Sequence, residues 1–277
     1  MKIKLICDSL CDIPMELVEK YDIEIIPLTI IIEDKEYKDG IDMTNEEFYK
    51  TMKEIHTVPK TSQATYMQFK EVFDKYKDDY SIVCINGSSN SSGTYQSAVM
   101  AKNDTEGDIN VFDTLSLSLG SGQYVIKACE LIEQGLDAKN IINELENLRE
   151  SVNLFFVPDS LEYLKRSGRV SVTTATIGNM LSLKPVFSMK DGNISLVTKV
   201  RGKKHVVHTL IDLIKEQYDT FEDKNVMIGC GANLKEFEVL KKDVEEHLKA
   251  KKVYLTRGGA CICSHTGPDI LAISCSN

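Results

Sequence analysis

The sequence predicts an α/β protein of two domains. Residues 1–152 read as a three-layer α/β/α domain around a mainly parallel sheet, and residues 153–277 as a second α/β domain around a mixed sheet. Three observations carry this. Short β-branched runs alternate with helical patterns through the first half, which implies parallel strands joined by crossover helices. In the second half strand-like runs come in adjacent pairs, and Lys190-Asp191-Gly192-Asn193 between two of them is a hairpin signal. At 277 residues the chain is also longer than one small core fills.

Taken in order, residues 2–7 read as a buried strand, and Pro14 opens a helix that runs through Tyr21. Residues 23–32 are β-rich. Thr44 with Glu47, and Thr65 with Gln68, form capping boxes, each followed by apolar residues at helical spacing. Residues 81–85 read as a strand, 93–101 as a helix and 110–112 as a brief strand. Two helical patterns follow, one ending near Gly135 and one over 138–151. After the boundary, 154–157 is a strand before a short helix at 161–165. Strands at 185–189 and 193–200 flank the Asp-Gly turn. Residues 203–218 are helical, 226–230 a strand and 234–250 a helix. Three strand-like runs close the chain at 253–256, 260–264 and 270–274. No linker separates the halves, so they are expected to pack directly and leave a cleft.

Composition excludes several functions. The net charge of −9 opposes a nucleic-acid footprint, which needs cations to displace counterions. The longest apolar stretch, 25–32, is broken by Pro27 and Thr29 and is too short to span a bilayer. The apolar run at 3–7 is too short for a signal-peptide core. Eight scattered cysteines without a CxxC pair indicate a reduced, cytoplasmic protein without disulfides.

Four clusters could carry chemistry. Asn86-Gly87-Ser88-Ser89-Asn90-Ser91-Ser92-Gly93-Thr94 joins a strand to a helix. It suits an anion at a helix start, with Ser92 and Thr94 as hydroxyl donors, and equally suits an ordinary turn capped by Ser92. It is neither a P-loop nor a dinucleotide fingerprint. Pro59-Lys60-Thr61-Ser62-Gln63 places two hydroxyls in a loop, as an ST-turn also would. Cys261-x-Cys263-x-His265 on a strand puts all three on one face. Structural zinc prefers turn-supported spacing, so packed thiols with a His at the strand end are favoured and no metal is expected. Last, Lys165, Arg166 and Arg169, then Lys199, Arg201, Lys203 and Lys204, gather cations in an acidic chain, as a solvated face or a docking patch.

Set in order along the chain, these motifs resemble the DegV family of bacterial fatty-acid-binding proteins. The resemblance rests on Cys7-Asp8-Ser9, Pro27-Leu28, Tyr37-x-Asp39-Gly40, Lys60-Thr61-Ser62-Gln63 and Ser92-Gly93-Thr94-Tyr95-Gln96-Ser97-Ala98. It continues through Leu161-x-Tyr163-Leu164-x-x-x-Gly168-Arg169, Lys184-Pro185, Asp191-Gly192, Lys199-Val200-Arg201 and His265-Thr266-Gly267-Pro268. It implies two α/β domains with one long-chain fatty acid in a tunnel and no cofactor. It also implies a carboxylate bound by Thr61, Ser62 and Ser92, with Gly93 and Thr94, near His265. Some members present the acid to an ATP-dependent kinase that makes an acyl phosphate, so Arg166, Arg169, Arg201, Lys203 and Lys204 are expected to dock such a partner. Ser91, Asp269 and Cys7 stand where the family usually has Leu, Gly and Thr, and the first two are expected near the head group. An uncharged clamp of hydroxyls and N–H groups would leave the carboxylate free to react. The competing reading is a serine-dependent acyl hydrolase or acyltransferase using Ser92 and His265. Against it, no GxSxG motif occurs and only five His are present.

Overall fold

The computed structural model describes residues 1–55, 57–169 and 183–277. The chain opens with β1 (Lys2–Asp8), a 3-10 turn (Ser9–Cys11), α1 (Met15–Tyr21), β2 (Glu24–Ile26), β3 (Thr29–Ile32) and β4 (Lys35–Lys38). It continues through α2 (Asn45–Glu54), β5 (Lys60–Ser62), α3 (Tyr66–Tyr76), β6 (Tyr80–Asn86) and α4 (Thr94–Asn103). Next come β7 (Ile109–Asp113), α5 (Leu119–Glu133) and α6 (Ala138–Leu148). After residue 152 follow β8 (Asn153–Val157), α7 (Leu161–Ser167), β9 (Leu183–Lys190) and β10 (Asn193–Arg201). Then come α8 (Val206–Lys215), β11 (Asn225–Cys230), α9 (Leu234–His247), β12 (Lys252–Arg257), α10 (Ala260–Thr266) and β13 (Leu271–Cys275).

The first sheet has the order β2-β1-β6-β7 and is parallel throughout. Its central strands are covered on both faces, so β1 and β6 read as nearly unbroken apolar runs. The two capping boxes form as the sequence indicates. Thr44 and Thr65 accept the backbone N–H of Glu47 and Gln68, and those side chains accept the cap N–H in return. The β-rich run 23–32 is two strands rather than one. Pro27, with no N–H for a ladder, separates β2 from β3. β3 turns into a small antiparallel sheet of order β4-β3-β5. Neither β4 nor β5 was expected: both are short and polar, and their pairing comes from β3. The 59–63 segment is therefore not a free loop, because Thr61 lies opposite Ile30 in a ladder.

The second sheet is mixed, as expected, with order β10-β9-β8-β13-β11-β12 and only β11–β12 parallel. The β9–β10 hairpin turns at Asp191 (φ 48°) and Gly192 (φ 77°), the two positive φ values a type I′ turn demands. Along β8 the side chains alternate between two cores. Leu154 and Phe156 join the cluster shared with the first sheet, while Phe155 and Val157 join the cluster under α8 and α9. The face carrying Leu154 and Phe156 is the one that meets the site.

One expected strand is a helix. Residues 260–264 lie in α10. A run this short carries no period that separates strand from helix. The helix starts at Gly259, which has no side chain to cap with, and ends at Gly267 with φ 85°. Cys261 and His265, four residues apart, share a helical face, and Cys263 does not lie with them. The single face of Cys261, Cys263 and His265 expected from strand alternation does not exist. Cys263 instead donates its thiol to Gly258 O at 3.4 Å.

Candidate functional site

A cavity of about 350 Å³ lies where the two sheets face each other. Its deep walls are apolar and buried: Leu10 and Leu28 from the first half, Leu154, Phe156 and Ile194 from the second. Its other end is polar and reaches solvent. Thr61, Ser62, Gln63, Ser91, Ser92, Gly93, His265 and Arg169 line that end.

Local chemistry places each group. β5 is held against β3 and carries Thr61, whose Oγ1 lies 2.8 Å from His265 Nε2. Ser92 Oγ and Thr94 Oγ1 are 2.9 Å apart, and Thr94 Oγ1 accepts the N–H of Ala64 at 3.2 Å. The two hydroxyl segments are thus tied together just behind the cavity wall. Gly93 lets Gln63 lie close, since a Cβ on it would fall 1.9 Å from Gln63 Oε1 and push that exposed side chain aside. The Ser-rich turn also seats the far hairpin. Ser88 donates to Gly192 O at 2.7 Å and Asn90 Nδ2 to Asp191 O at 2.8 Å. That contact brings Met189 and Ile194 over the cavity.

His265 is neutral at physiological pH. Burial, with the charge of Arg169 added, pushes its pKa down to about 4. Its Nδ1 is buried and has no partner among the described residues. Among the described residues Arg169 is the one lining side chain that is always charged. Burial pushes the Cys261 thiol well up, so it is a packed thiol and not a nucleophile.

Thr61, Ser62, Ser92, Gly93 and His265 all line the cavity. Thr94 is fully buried and supports Ser92 from behind. Two expectations need correction. The polar end is not uncharged, since Arg169 stands on it, and it is brought there by the C-terminal end of α7. Asp269 does not line the cavity. It sits in a separate small pocket beside Asp159, whose pKa rises through burial and the Asp269 charge. The remaining cations do not gather on the cavity. Arg166 pairs with Glu162 at 2.6 Å and Lys203 with Glu236 at 3.2 Å, while Arg201 and Lys204 are exposed. Ser118 and Ile262 also line the wall and carry no local sequence signal, while Thr266 of the His265-Thr266-Gly267-Pro268 motif lines it too; Ser118 adopts φ 51° at the start of α5.

A second cavity, of about 440 Å³, combines apolar walls such as Ile13, Ile25 and Leu255 with Arg257 and three acids. Asp8, Asp12 and Asp39 lie along it, and burial pushes their pKa values up to about 7, 8 and 6. All six of their oxygens already accept a hydrogen bond, from Leu10 N, Gly87 N, Gly259 N, Ser118 Oγ, Ala260 N and Cys261 N. Among the described residues the grouping of metal-type ligands is Asp243, Glu246 and His247 on α9, and none of them lines either cavity. No helix among those residues is long and apolar enough to cross a membrane.

Comparison with known proteins places this geometry. A sequence model described as "Uncharacterised protein, DegV family" matches residues 2–277. A DegV domain-containing protein of Clostridium acetobutylicum is 39% identical over 231 residues, 83% of each chain. A Thermus thermophilus structure, described as fatty acid binding of a DegV family protein, superposes with TM-score 0.93 at 28% identity over 100% of both chains. A stearic acid-binding protein from Eubacterium ventriosum superposes with TM-score 0.90 at 28% identity, over 100% of this chain and 98% of the other. With a family match over residues 2–277 and the same fold, the chain belongs to the DegV family.

Proposed function

We propose that the smaller cavity holds one long-chain fatty acid, with its carboxylate at the polar end and its tail along the buried walls. The observation that carries this is the cavity's polarity: buried apolar walls that end in hydroxyls, a neutral His and one Arg at solvent. Tail burial is worth about 0.8 kcal/mol per CH₂, so about a dozen methylenes supply on the order of 10 kcal/mol before the costs of binding. The head group then needs only to select and orient. Thr61, Ser62 and Ser92 donate to the carboxylate, Gly93 and Thr94 shape their turn, and His265 and Arg169 stand at the rim. Residues 1–152 and 153–277 act as two domains that clasp the tail between them.

The protein works as a carrier without catalytic activity or cofactor. It presents the carboxylate to a partner ATP-dependent fatty acid kinase, where a carboxylate oxygen attacks the terminal phosphorus of ATP and ADP leaves. Arg166, Arg201, Lys203 and Lys204 supply a partner-facing surface. The solvent-facing polar end supports this, because a carboxylate held there stays within reach. The hydrolase reading lacks geometry. Ser92 Oγ is engaged by Thr94, His265 Nε2 by Thr61, and among the described residues no acid orients His265 Nδ1.

Mass spectrometry of lipid extracted from purified protein tests the proposal. About one equivalent of a long-chain acid is expected. Protein that carries none and fails to bind added palmitate or oleate refutes it. A fluorophosphonate probe that labels Ser92 would favour the hydrolase instead.

A further inference from the structure

α10 is seven residues long, too short to be stable alone, and its first residue is preceded by a glycine that cannot cap it. Three N–H groups at its start are nonetheless satisfied. Gly259 N donates to Asp12 Oδ1 at 2.8 Å, Ala260 N to Asp39 Oδ1 at 3.1 Å and Cys261 N to Asp39 Oδ2 at 3.4 Å. These caps come from residues more than 200 positions away, and carboxylates suit the positive end of a helix. The approach is close: a Cβ at Gly259 would lie 2.7 Å from Asp12 Oδ1. Neither acid lines the fatty-acid cavity, yet each is tied to two pieces of its wall. The other oxygen of Asp12 accepts Ser118 Oγ at 2.5 Å, and the backbone N–H of Asp39 donates to Leu28 O at 2.9 Å. Ser118, Leu28, Cys261 and His265 all line the cavity.

We propose that Asp12 and Asp39 are positioning residues that clamp the start of α10 and thereby set Cys261 and His265, together with Ser118 and Leu28, around the polar end of the cavity. His265 lies six residues beyond Gly259, about 9 Å along the helix axis. Slippage or rotation at the clamp therefore carries its ring away from Thr61. The acids act from the far side of the helix, beneath the second cavity, and never touch the ligand.

The binding arm of the test rests on the fatty-acid reading; its spectroscopic arm does not. The His265 Hε1 resonance of delipidated protein, assigned by its loss in His265→Gln, is compared in Asp39→Ala, Asp39→Asn and Asp12→Asn. Oleate affinity is measured on the same samples by displacement of a fluorescent fatty acid. Asp137→Ala, which removes the side-chain cap of α6 far from either cavity, calibrates a purely structural loss. Asp39→Ala is expected to shift and broaden the His265 resonance and to weaken oleate about tenfold, with the Asn variants intermediate. Asp137→Ala is expected to lower Tm but to leave resonance and affinity at parental values. If Asp39→Ala does not fold, the Asn variants, which keep one acceptor oxygen, decide. Folded variants with a parental His265 resonance overturn the proposal. A parent protein that binds no oleate overturns the fatty-acid reading, and the resonance still judges the clamp.

Discussion

Stability of the ligand-free protein should fall as pH rises from 6.5 to 8, and Asp12→Asn should flatten that fall. Asp12 is fully buried, and its folded-state pKa is pushed from 3.8 to about 8. A carboxyl whose folded pKa is raised contributes stability that is complete below the unfolded value and lost as pH climbs through the folded one. Each such group changes the unfolding free energy by at most about 1.4 kcal/mol per pH unit while the native state keeps its proton and the unfolded state has lost it. The window isolates the effect. Asp39, pushed only to about 6, is largely ionised by pH 6.5, so Asp12 and Asp8 (about 7) dominate. His265, pushed down to about 4, acts in the opposite sense, but only below its ordinary value of 6.5. Over the window Asp12 alone accounts for about 1–2 kcal/mol, which at about 2–4 °C per kcal/mol for a chain of this size is a drop of several degrees in Tm. Asparagine mimics the protonated acid at every pH, so its variant should lose that share of the slope. Thermal melts of delipidated protein at half-unit pH steps test this, delipidated because bound ligand adds its own stabilisation. A parent whose Tm is flat or rises from pH 6.5 to 8 refutes the reasoning, as does an Asp12→Asn variant with the parental slope.

Other outcomes follow from the polar end of the cavity. Thr61→Val and Ser92→Ala should each weaken fatty-acid binding by about 1–2 kcal/mol while Tm stays near the parent, because a charged acceptor loses one donor; equal affinity in both variants would remove them from the site. Arg169→Gln should weaken binding by about 0.5–1 kcal/mol and make it less sensitive to salt, the size and screening of an exposed ion pair. Gly93→Ala should change stability by no more than about 1 kcal/mol, because the new methyl meets only the far end of the exposed Gln63 side chain, which can swing aside; a loss of several degrees in Tm would refute this. Arg201→Ala with Lys204→Ala should leave fatty-acid content and Tm unchanged yet slow acyl-phosphate formation with the kinase, most at low salt; parental rates across a salt series would make this a plain solvated face.

What the sequence disclosed and what it hid divide by range. The capping boxes at Thr44 and Thr65 and the Asp191-Gly192 turn are decided within four residues, and each forms as read. The alternation of strands and helices that marks the first sheet as parallel is likewise local. β5 was hidden because three polar residues become a strand only beside β3. α10 was hidden because its N-terminus is capped by Asp12 and Asp39 from the other end of the chain. Five of the six residues proposed for the head group line the cavity, and it was the family resemblance that singled them out, since Thr61 and Ser62 taken alone read equally well as an ordinary turn. Arg169 was read as a docking residue because nothing in its neighbourhood in sequence says that the end of α7 reaches the cavity.

The distribution of charge around the two cavities sets a direction for the proposed ligand. At Ser118 the cavity wall is one hydrogen bond thick, with the Asp12 carboxyl behind it. When Asp12 is ionised, that stretch of wall disfavours a carboxylate and tolerates a hydrocarbon. At the rim the charge is reversed, since Arg169 stands beside a neutral His265. A fatty acid therefore gains by placing its head at Thr61 and Arg169 and its tail past Ser118, and loses by lying the other way. Burial softens that preference near pH 7. The raised pKa of Asp12 and Asp8 keeps part of the acidic layer neutral near pH 7, which lowers the field a bound anion must withstand. The acids can then serve as helix caps under an anion site without opposing it, and the neutral His265 keeps the carboxylate from being locked into a second salt bridge. A ligand carboxylate held by hydroxyls and one exposed guanidinium is oriented, desolvated on one side only, and open to attack an electrophile from solvent. That combination suits a carrier that must hand over its cargo's head group while keeping the tail.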